Sequence, residues 1–542
     1  MSYTVGLDFG THQTKICIED ASNPAQKLYE FLEFEDNDGK LTVLFPSIVQ
    51  INNDDTISYG FVNDERCKIL NKNGVVKPVL SLSQEPVLKI PPNPVEPILP
   101  LKPQDETLSW GKKLIKLFFN RNSSENDEIL QWKQDCLRLQ NEHEQNIIEW
   151  GKECAILQEE YDRDLYFCQT ANNQRKAEYD KAIEQWDVKP IRQFHFRYFK
   201  LATYSNTSQW EHEIEPEIIS VWYIAYLLLV LRAKLGEDFY IQTGVPSGAK
   251  KSELKSQERK AFAILIAAYR LVERYRTNEE FLTETYHNLL EVTKLDFDFS
   301  EDEIAFYGLN VLPEAYAGLS SITQQKRLET GMSLLVDIGG GTTDIAFFTI
   351  RENKPDIHAV ISFHKGLNFI FEQYIIENEG LLISDVQKIF FDKQGETSVF
   401  NSSIDKYKKQ LQQETKKMVD NIESSFTLRE AFHGLPVSRL RNALKNRPVV
   451  FCGGGSVYDS MRTSVLNFTD IKTINKNLLN IPAIKNRGIN QELFAILATS
   501  YGLSIPLENE IVLTSIEQVF NHIVAQEQSQ SSFSYEHGLS DI

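Results

Sequence analysis

Apolar runs that end in a glycine-rich turn are the most regular pattern along this chain. Met332–Val336 is an apolar run that leads into the turn Asp337–Asp344, and Ile345–Ile350 follows it as a second apolar run. Two such runs joined by a few glycine-rich residues predict a β-hairpin. The N-terminus repeats the pattern, with strands predicted at Tyr3–Asp8 and Ile16–Glu19 around a Gly-Thr turn.

The residues in these turns are suited to binding phosphate. Consecutive glycines let the backbone form a nest of N–H groups that points at one anion, and the threonine hydroxyls add donors. A carboxylate repels a phosphate unless a metal ion lies between them, so Asp337 indicates a magnesium-nucleotide rather than bare phosphate. A third element, Val449–Ser456, runs from a predicted buried strand into three glycines and a serine. Taken alone, each hairpin is also compatible with a simple tight turn.

The composition argues against several classes of protein. The 542 residues carry a formal net charge of −19, so a general nucleic-acid binder is not expected. The six cysteines are scattered and form no CxxC pair, which favours reduced thiols over a disulfide framework or a zinc site. No signal peptide is predicted at the N-terminus. The apolar run Ile218–Leu231 predicts a buried core helix rather than a membrane span, so we expect a cytoplasmic protein.

The middle of the chain has a different character. Pro78–Pro103 is rich in proline and predicts an extended surface segment, because proline excludes helix and sheet pairing. In Ser123–Asp187 the apolar residues follow a three-four spacing that predicts one helical stripe. We expect either one very long helix or an antiparallel pair hinged near Gly151 or Thr170–Asn173, with a hairpin favoured over a parallel coiled coil. This insertion either enlarges one lobe or, as we favour, serves as a docking arm for a protein partner.

Regular elements return after the insertion. Phe194–Thr203 alternates and predicts a strand, and Phe239–Pro246 predicts a buried strand. Helices are predicted at Ser252–Tyr275, Tyr407–Ser424, Gln491–Gly502 and Glu508–Glu527, followed by a polar tail at Ser529–Ile542.

The three glycine-rich elements, in this order, resemble those of the sugar kinase, heat-shock chaperone and actin superfamily. Within it, the chain most resembles the nucleotide-binding domain of the heat shock protein 70 family. Asp8–Thr11 resembles the first phosphate motif, Asp337–Asp344 the second, and Cys452–Ser456 the adenosine motif. The resemblance extends from Ser2 to Ser504, apart from the insertion. It implies an α/β, actin-like two-lobed ATPase fold of duplicated ribonuclease-H-like domains with a long helical insertion.

The implied organisation has five parts. Lobe I occupies residues 1–119 and 191–330, the helical, coiled-coil-like insertion 120–190, lobe II 331–505, and a C-terminal helix and tail 506–542. On this organisation we expect no separate peptide-binding domain of the family, and we expect the output to go to the arm, the surface or a partner.

The resemblance also implies ATP and Mg²⁺ as ligands in the cleft between the lobes. Asp8 and Asp337 would hold Mg²⁺, largely through water, and would position the attacking water. Thr342 would lie nearest the γ-phosphate, and Lys112, or its neighbour Lys113, would reach it. The other implied nucleotide-binding residues are Gly10, Thr11, His12, Lys15, Gly339, Gly340, Gly341, Thr343, Asp344, Glu414, Lys417, Gly453, Gly454, Gly455 and Ser456.

Three positions depart from the family pattern. Leu312 replaces the glutamate that orders magnesium-bound water, and Glu314, two residues on, is the candidate catalytic substitute. Hydrolysis is therefore expected to be slow. Met418 and Tyr458 stand where the family has arginines at the adenine, so the affinity for the base is in question. A Glu-x-x-Lys pair such as Glu414 and Lys417 is also an ordinary feature of helix surfaces.

Four functions are compatible with these residues. We favour a divergent chaperone-like ATPase that uses binding and slow hydrolysis of Mg-ATP as a conformational switch for a protein partner. The alternatives are an actin-like filament-forming ATPase of the plasmid-segregation type, a small-molecule kinase, and a nucleotide sensor without hydrolysis. ATP turnover measured beside sedimentation would separate the switch, the filament and the sensor.

Overall fold

The computed structural model describes most of the chain in separate ranges. These are residues 3–22, 27–70, 76–102, 123–186, 192–204, 210, 212–246, 251–323, 328, 331–351, 354–378, 383–392, 398–425, 444–475, 478–479, 481, 483–486, 489 and 493–506. The predicted residues Lys112 and Lys113, the predicted helix Glu508–Glu527 and the tail lie outside the described residues. By their internal contacts, the residues form two compact units, one of Met1–Ile69 with Arg192–Ile542 and one of Leu70–Ile191.

The described residues form eighteen strands and twelve α-helices. The strands are β1 Tyr3–Asp8, β2 Gln13–Asp20, β3 Leu28–Phe31, β4 Phe34–Glu35, β5 Leu41–Thr42, β6 Phe45–Pro46, β7 Ile48–Ile51, β8 Ile57–Tyr59, β9 Ile69–Leu70, β10 Arg192–Gln193, β11 His195–Arg197, β12 Phe239–Val245, β13 Leu309–Pro313, β14 Gly331–Ile338, β15 Thr343–Arg351, β16 Lys354–Phe363, β17 Arg447–Cys452 and β18 Phe468–Thr473. The helices are α1 Ser123–Gln185, α2 Phe199–Tyr204, α3 Pro216–Leu235, α4 Lys251–Val272, α5 Asn278–Leu282, α6 Tyr286–Val292, α7 Glu301–Phe306, α8 Glu314–Thr323, α9 Leu367–Glu377, α10 Ile383–Asp392, α11 Asn401–Ser425 and α12 Phe494–Ser504.

Two sheets with the same topology form the centre of the first unit. The strand order is β3-β2-β1-β12-β13 in lobe I, where β6 also pairs with β2, and β16-β15-β14-β17-β18 in lobe II. In each sheet the first three strands of this order pair antiparallel with their neighbours. The fourth strand pairs in parallel with the third, and the fifth pairs in parallel with the fourth. This repeated order is that of duplicated ribonuclease-H-like domains. It confirms the predicted α/β two-lobed fold class.

The helix that ends the described chain, α12, packs mainly on lobe I, although it lies within the range 331–505 that was predicted for lobe II. Helix α12 packs against α8 and against strands β1 and β2, while α8 packs on β15 and β16. Gln242 Nε2, on β12, donates to the carbonyls of Leu503 and Ile505 at 2.6 and 2.9 Å. Asn486 exchanges two hydrogen bonds with the backbone of Phe31 on β3. Residues more than four hundred positions after the first strand therefore complete the packing and hydrogen bonding of lobe I.

Helix α3 is the most apolar long helix among the described residues. It begins at Pro216, in a first turn where proline loses no hydrogen bond, and is followed by Gly236 with φ 73°. By length and composition alone it is, within the described ranges, the one helix able to cross a membrane. Trp222, Tyr223 and Leu228 are fully buried inside the protein, and α3 packs on α4. The prediction of a buried core helix is confirmed.

The second unit consists of α1 and an extended segment that lies along it. Helix α1 runs without interruption for 63 residues, which confirms the one very long helix expected for the insertion and shows that its alternative, the antiparallel pair, is wrong. Neither Gly151 nor Thr170–Asn173 breaks the helix. The apolar stripe is covered instead by residues 77–102, which we call the proline-rich segment. Trp132 Nε1 donates to Pro100 O at 2.8 Å and Trp150 Nε1 to Pro91 O at 3.0 Å. The segment therefore belongs to the unit of α1, although the sequence predicts lobe I for residues 1–119.

The strand predicted at Phe194–Thr203 is also wrong in its second half. Strand β11 ends at Arg197, Tyr198 takes a φ of 60°, and α2 begins at Phe199. Alternation in Phe194–Arg197 fits the sheet, where β11 pairs with β7. Beyond the turn, Phe199, Lys200 and Thr203 are buried on a helix. This change of direction places Lys200 at the candidate site.

Candidate functional site

The turns of the two duplicated hairpins line one cavity between the lobes. The cavity has a volume of about 400 Å³. Thirteen of the predicted site residues lie in its wall: Asp8, Gly10, Thr11, His12, Lys15, Glu314, Asp337, Gly339, Gly340, Thr342, Asp344, Gly453 and Gly454. Residues predicted from segments that are hundreds of positions apart in the sequence therefore line one cavity.

Acidic and basic side chains are concentrated in this wall. Four carboxylates (Asp8, Glu314, Asp337, Asp344) and three cationic side chains (Lys15, Arg197, Lys200) line the cavity. Lys15 Nζ lies 2.7 Å from Asp8 Oδ2, and Lys200 donates a hydrogen bond to Glu314. One negative charge is left uncompensated when all seven groups are ionised.

Burial, together with nearby negative charge, raises the pKa of both lobe II carboxyls. Burial raises the pKa of Asp337 to about 7, with further contributions from the nearby charges of Glu314 and Asp8. Burial and Glu314 likewise raise the pKa of Asp344. Burial alone lowers the pKa of Lys200, but the carboxylates of Glu314 and Asp8 outweigh burial and raise it. The cavity therefore favours the arrival of positive charge.

A divalent cation bound with a nucleotide fits this donor set. Among the described residues, no group of three or more His, Cys, Asp or Glu side chains forms a metal-ligating cluster. Mg²⁺ commonly binds through one or two carboxylates together with waters and substrate phosphates rather than in an all-protein cage. Asp8 and Asp337, one from each lobe, are the residues that would hold it.

Lys200 is a residue of the candidate site that was not predicted from the sequence. It is only 6% exposed, lies on α2, and points its ammonium group at Glu314. Arg197 and Tyr198, from the same turn, also line the cavity. The available signal was a lysine between Phe199 and Leu201 in an apolar run, since lysine is rarely buried without a partner.

His12 joins the two hairpin turns. Its ring lies 5.1 Å from the ring of Tyr198, edge to face, and packs directly on Gly340. A Cβ added to Gly340 would lie 1.6 Å from Cδ2 of His12, so the close approach requires glycine. Burial lowers the pKa of His12 to about 4, so the ring is neutral at pH 7. His12 Nε2 is buried without a hydrogen-bond partner in the described part of the chain.

The start of α9 holds the lobe II turn. Leu367 N–H donates to Gly339 O at 3.1 Å and Asn368 N–H to Gly340 O at 2.8 Å. Gly339 N–H donates to Thr342 O at 2.9 Å. The carbonyls of the first two turn glycines therefore face α9, which orients the peptide planes of the turn.

The third glycine turn approaches Asp337 closely. Gly453 has φ 79°, and a Cβ there would lie 2.1 Å from Asp337 Oδ1. Gly455 and Ser456 are buried behind the wall and do not line the cavity. Ser456 Oγ donates to Gly453 O at 2.7 Å and so fixes the turn.

Four further predicted residues are not brought to the cavity wall. Glu414 and Lys417 form an ion pair with each other at 2.6 Å on α11. Thr343 is fully buried, and its hydroxyl meets Lys365 O at 2.7 Å and Tyr407 Oη at 2.8 Å. Gly341 is buried beside Thr11.

The two residues that replace arginines of the family lie in different places. Met418 packs in the lobe II core. Tyr458 lines the cavity with Leu367, Phe371, Gln387 and Phe391.

Two duplicated domains, each with an aspartate and a glycine-rich turn facing a shared cleft, define the architecture. The chain has the actin-like fold. No protein-family model matches the sequence, and no curated protein matches it by sequence. Among solved structures, it is similar to MreB5 of Spiroplasma citri bound to AMPPNP, with 9% identity over 98% of this chain and 99% of the other and a TM-score of 0.35.

Two other solved structures show a likeness of the same low level. The MamK double helical filament has 13% identity over 93% of this chain and 99% of the other, with a TM-score of 0.34. The ethanolamine utilization protein EutJ from Carboxydothermus hydrogenoformans has 14% identity over 58% of this chain and 80% of the other, with a TM-score of 0.26. A likeness this distant gives no information about activity.

Proposed function

We propose that the protein binds Mg-ATP between its lobes and hydrolyses it slowly, as a conformational switch for a protein partner. One observation carries the proposal: two aspartate-led glycine turns, one from each lobe, face the same acidic cavity. A nucleotide triphosphate brings four negative charges and needs a cation and backbone donors. The cavity offers carboxylates for the cation and two glycine-rich turns for the phosphates.

The roles of the residues follow from their positions. Lys15 and Lys200 would neutralise phosphate oxygens, and the turns of Gly10 and Gly339 would wrap them. Glu314, oriented by Lys200, is the candidate to orient the attacking water. Mg²⁺ would neutralise charge that develops on the transferred phosphoryl group, since phosphoryl transfer asks the protein mainly for positioning and electrostatic stabilisation.

Apolar and aromatic side chains offer a place for the base. Leu367, Phe371, Phe391 and Tyr458 line the same cavity as the charged groups. A base can stack on an aromatic face without a charged partner. Tyr458 would thus take over the stacking that the family assigns to an arginine.

We propose that the arm, the insertion Ser123–Asp187, binds the protein partner. We expect the protein to act in the cytoplasm. Helix α1 contains 15 acidic and 7 basic residues, so the partner segment would be basic. Leu130, Leu137, Ile148 and Tyr166 are each more than half exposed and, at spacings of 7, 11 and 18 residues, share one helix face. A basic amphipathic helix is the kind of segment that this face fits.

The test combines binding, turnover and sedimentation. Calorimetric titration of ATP should show binding with Mg²⁺ and much weaker binding with EDTA, and phosphate release should be slow. Asp8→Asn and Asp337→Asn should each reduce turnover by about 10²-fold or more, while the exposed Asp405→Asn should not. Normal turnover by both variants would refute the site. ATP-dependent assembly into large particles would indicate the filament function, and binding without turnover the sensor.

A further inference from the structure

Arg197 is the basic residue of the cavity wall whose charge no carboxylate among the described residues neutralises. The other two basic residues of the wall, Lys15 and Lys200, each form an ion pair with a carboxylate of the same wall. Arg197 is exposed, lines the cavity, and donates from Nε to Nε2 of His195 at 3.3 Å. Its two terminal nitrogens therefore remain available to an anion that enters the cavity.

The register of strand β11 places Arg197 beside the first glycine turn. Arg197 is the last residue of β11 and pairs with Ile48 on β7, which also lines the cavity. The residue before Ile48 is Ser47, whose Oγ donates to Gly10 O at 2.7 Å. The same sheet contact that aligns β11 with β7 thus brings the guanidinium group to the turn expected to wrap the phosphates.

The turn after β11 brings a second basic residue to the same cavity. Tyr198 takes a φ of 60°, and the helix that follows carries Lys200 to its hydrogen bond with Glu314. Glu314 is the candidate to orient the attacking water, and this water must lie beside the terminal phosphorus. Arg197, three positions before Lys200, is therefore expected at the end of the cavity that receives the terminal phosphate.

His195 holds the guanidinium group without neutralising it. Burial, with the charge of Arg197 as a second cause, lowers the pKa of His195 to about 4, so the ring is neutral at pH 7. Because Nε2 accepts the hydrogen bond from Arg197, the ring proton is on Nδ1, which lies 3.6 Å from Asp64 Oδ1. The contact fixes the Nε edge of the guanidinium group. Its other N–H donors can then bind two phosphate oxygens at once, as arginine does and lysine does not.

We propose that Arg197 is a catalytic residue that binds the terminal phosphate of ATP, with His195 as its positioning residue. This inference rests on the proposed nucleotide site. In hydrolysis the oxygen of water forms a bond to the terminal phosphorus, the bond from that phosphorus to the bridging oxygen breaks, its electron pair leaves with ADP, and a proton passes to solvent. Negative charge is spread over the other oxygens of the transferred group in the transition state, where the unpaired guanidinium group stabilises it.

Affinity for ATP compared with ADP tests the contact with the terminal phosphate. Calorimetric titrations of the full-length protein with Mg²⁺ use a non-hydrolysable ATP analogue and ADP. Arg197→Ala should weaken binding of the analogue by about tenfold or more, because hydrogen bonds to a charged group are lost, and should leave ADP binding unchanged. Arg197→Lys should give an intermediate loss. Arg276→Ala, at an exposed arginine between α4 and α5, should bind both as the wild type does. An equal loss for both nucleotides would overturn the proposal.

Steady-state phosphate release tests the role of Arg197 in the reaction. Arg197→Ala should lower kcat by about 10²-fold without changing the midpoint of urea unfolding, because the side chain is exposed. His195→Ala should lower kcat by about tenfold, and His195→Gln, which keeps an acceptor near the position of Nε2, should recover most of it. Adding His195→Ala to Arg197→Ala should cause no further loss, since His195 acts through Arg197. Additive losses would overturn the positioning role.

The wild type separates this inference from the function on which it rests. A wild type that binds no Mg-ATP would refute the nucleotide site and this inference together. If the wild type binds and hydrolyses Mg-ATP and Arg197→Ala does so equally well, the proposed function stands and the role of Arg197 is overturned.

Discussion

Asp337 and Asp344 lie directly opposite each other on strands β14 and β15. The equivalent pair in the duplicated hairpin of lobe I is Asp8 and Lys15, which form an ion pair at 2.7 Å. The same position in the fold is therefore neutralised in lobe I and doubly acidic in lobe II. Because of this asymmetry, a bound cation would neutralise mainly the carboxylates on the lobe II wall of the cavity.

Asp344→Asn should stabilise the nucleotide-free protein. Burial and the neighbouring Glu314 raise the pKa of Asp344 in the folded state. A carboxyl with a raised folded pKa loses folding free energy as the pH rises from about 4 through that pKa. An amide does not titrate, so the free energy of unfolding should increase by about 1–3 kcal/mol at pH 8 and change little at pH 4. Urea unfolding at both pH values measures this, with Asp405→Asn as control. A gain of the same size at both pH values would contradict the electrostatic explanation.

Lys200→Met should nearly abolish ATP turnover. The substitution removes the ammonium group from the cavity and leaves Glu314 buried without its hydrogen-bond donor. A loss of about 10²-fold or more in kcat is expected, with part of the activity retained by Lys200→Arg. Steady-state phosphate release measures it beside Lys406→Met, which changes an exposed lysine on α11. If Lys112→Met abolishes turnover and Lys200→Met does not, the lysine predicted from the sequence is the right one.

Gly340→Ala should destabilise the contact between the two hairpin turns. The added methyl group would collide with the ring of His12, at an expected cost of about 1–3 kcal/mol. Removing the ring as well, in Gly340→Ala/His12→Ala, should recover most of that loss. Denaturant unfolding compares these variants with Gly151→Ala on α1, where a Cβ meets no atom within 4 Å and about 0.5–1 kcal/mol of stabilisation is expected. Equal losses in the single and double variants would show that the His12 contact is not the cause.

Glu414→Ala and Lys417→Ala should change the affinity for ATP less than about threefold, because an exposed i,i+3 ion pair contributes little beyond itself. Tyr458→Ala should weaken binding by about tenfold through loss of the stacking face. Calorimetric titration of the three variants distinguishes the two sets of residues. A large loss in Glu414→Ala with no loss in Tyr458→Ala would restore the arrangement that the family resemblance implies.

The parts of the site that could be predicted from sequence are those built by local pattern. Each hairpin turn follows a buried strand that ends in aspartate, so Asp8 and Asp337 were found with their glycines. Lys200 was missed because its position depends on a turn at Tyr198 with a left-handed backbone, which the alternating pattern before it does not signal. Glu414 and Lys417 matched by spacing alone, and helical spacing does not determine which face meets a cavity.

The arm shows a different limit. The apolar stripe of α1 predicted that something covers it, and a helical partner was the natural expectation from the three-four period. The covering element is the proline-rich segment, which is extended rather than helical and accepts hydrogen bonds from Trp132 and Trp150. Patterns of burial on one element do not specify the type of element that lies against it.

The packing of α12 beneath strands β1 and β2 has a consequence for biosynthesis. The first strands of the chain leave the ribosome hundreds of residues before Asn486, which hydrogen-bonds Phe31 on β3, and before α12, which packs on β1 and β2. During translation the N-terminal hairpin therefore exists for a time with an unpaired sheet edge and with the apolar face that α12 later covers exposed to solvent. Such an intermediate is prone to aggregation, so productive folding of the first lobe depends on the synthesis of α12.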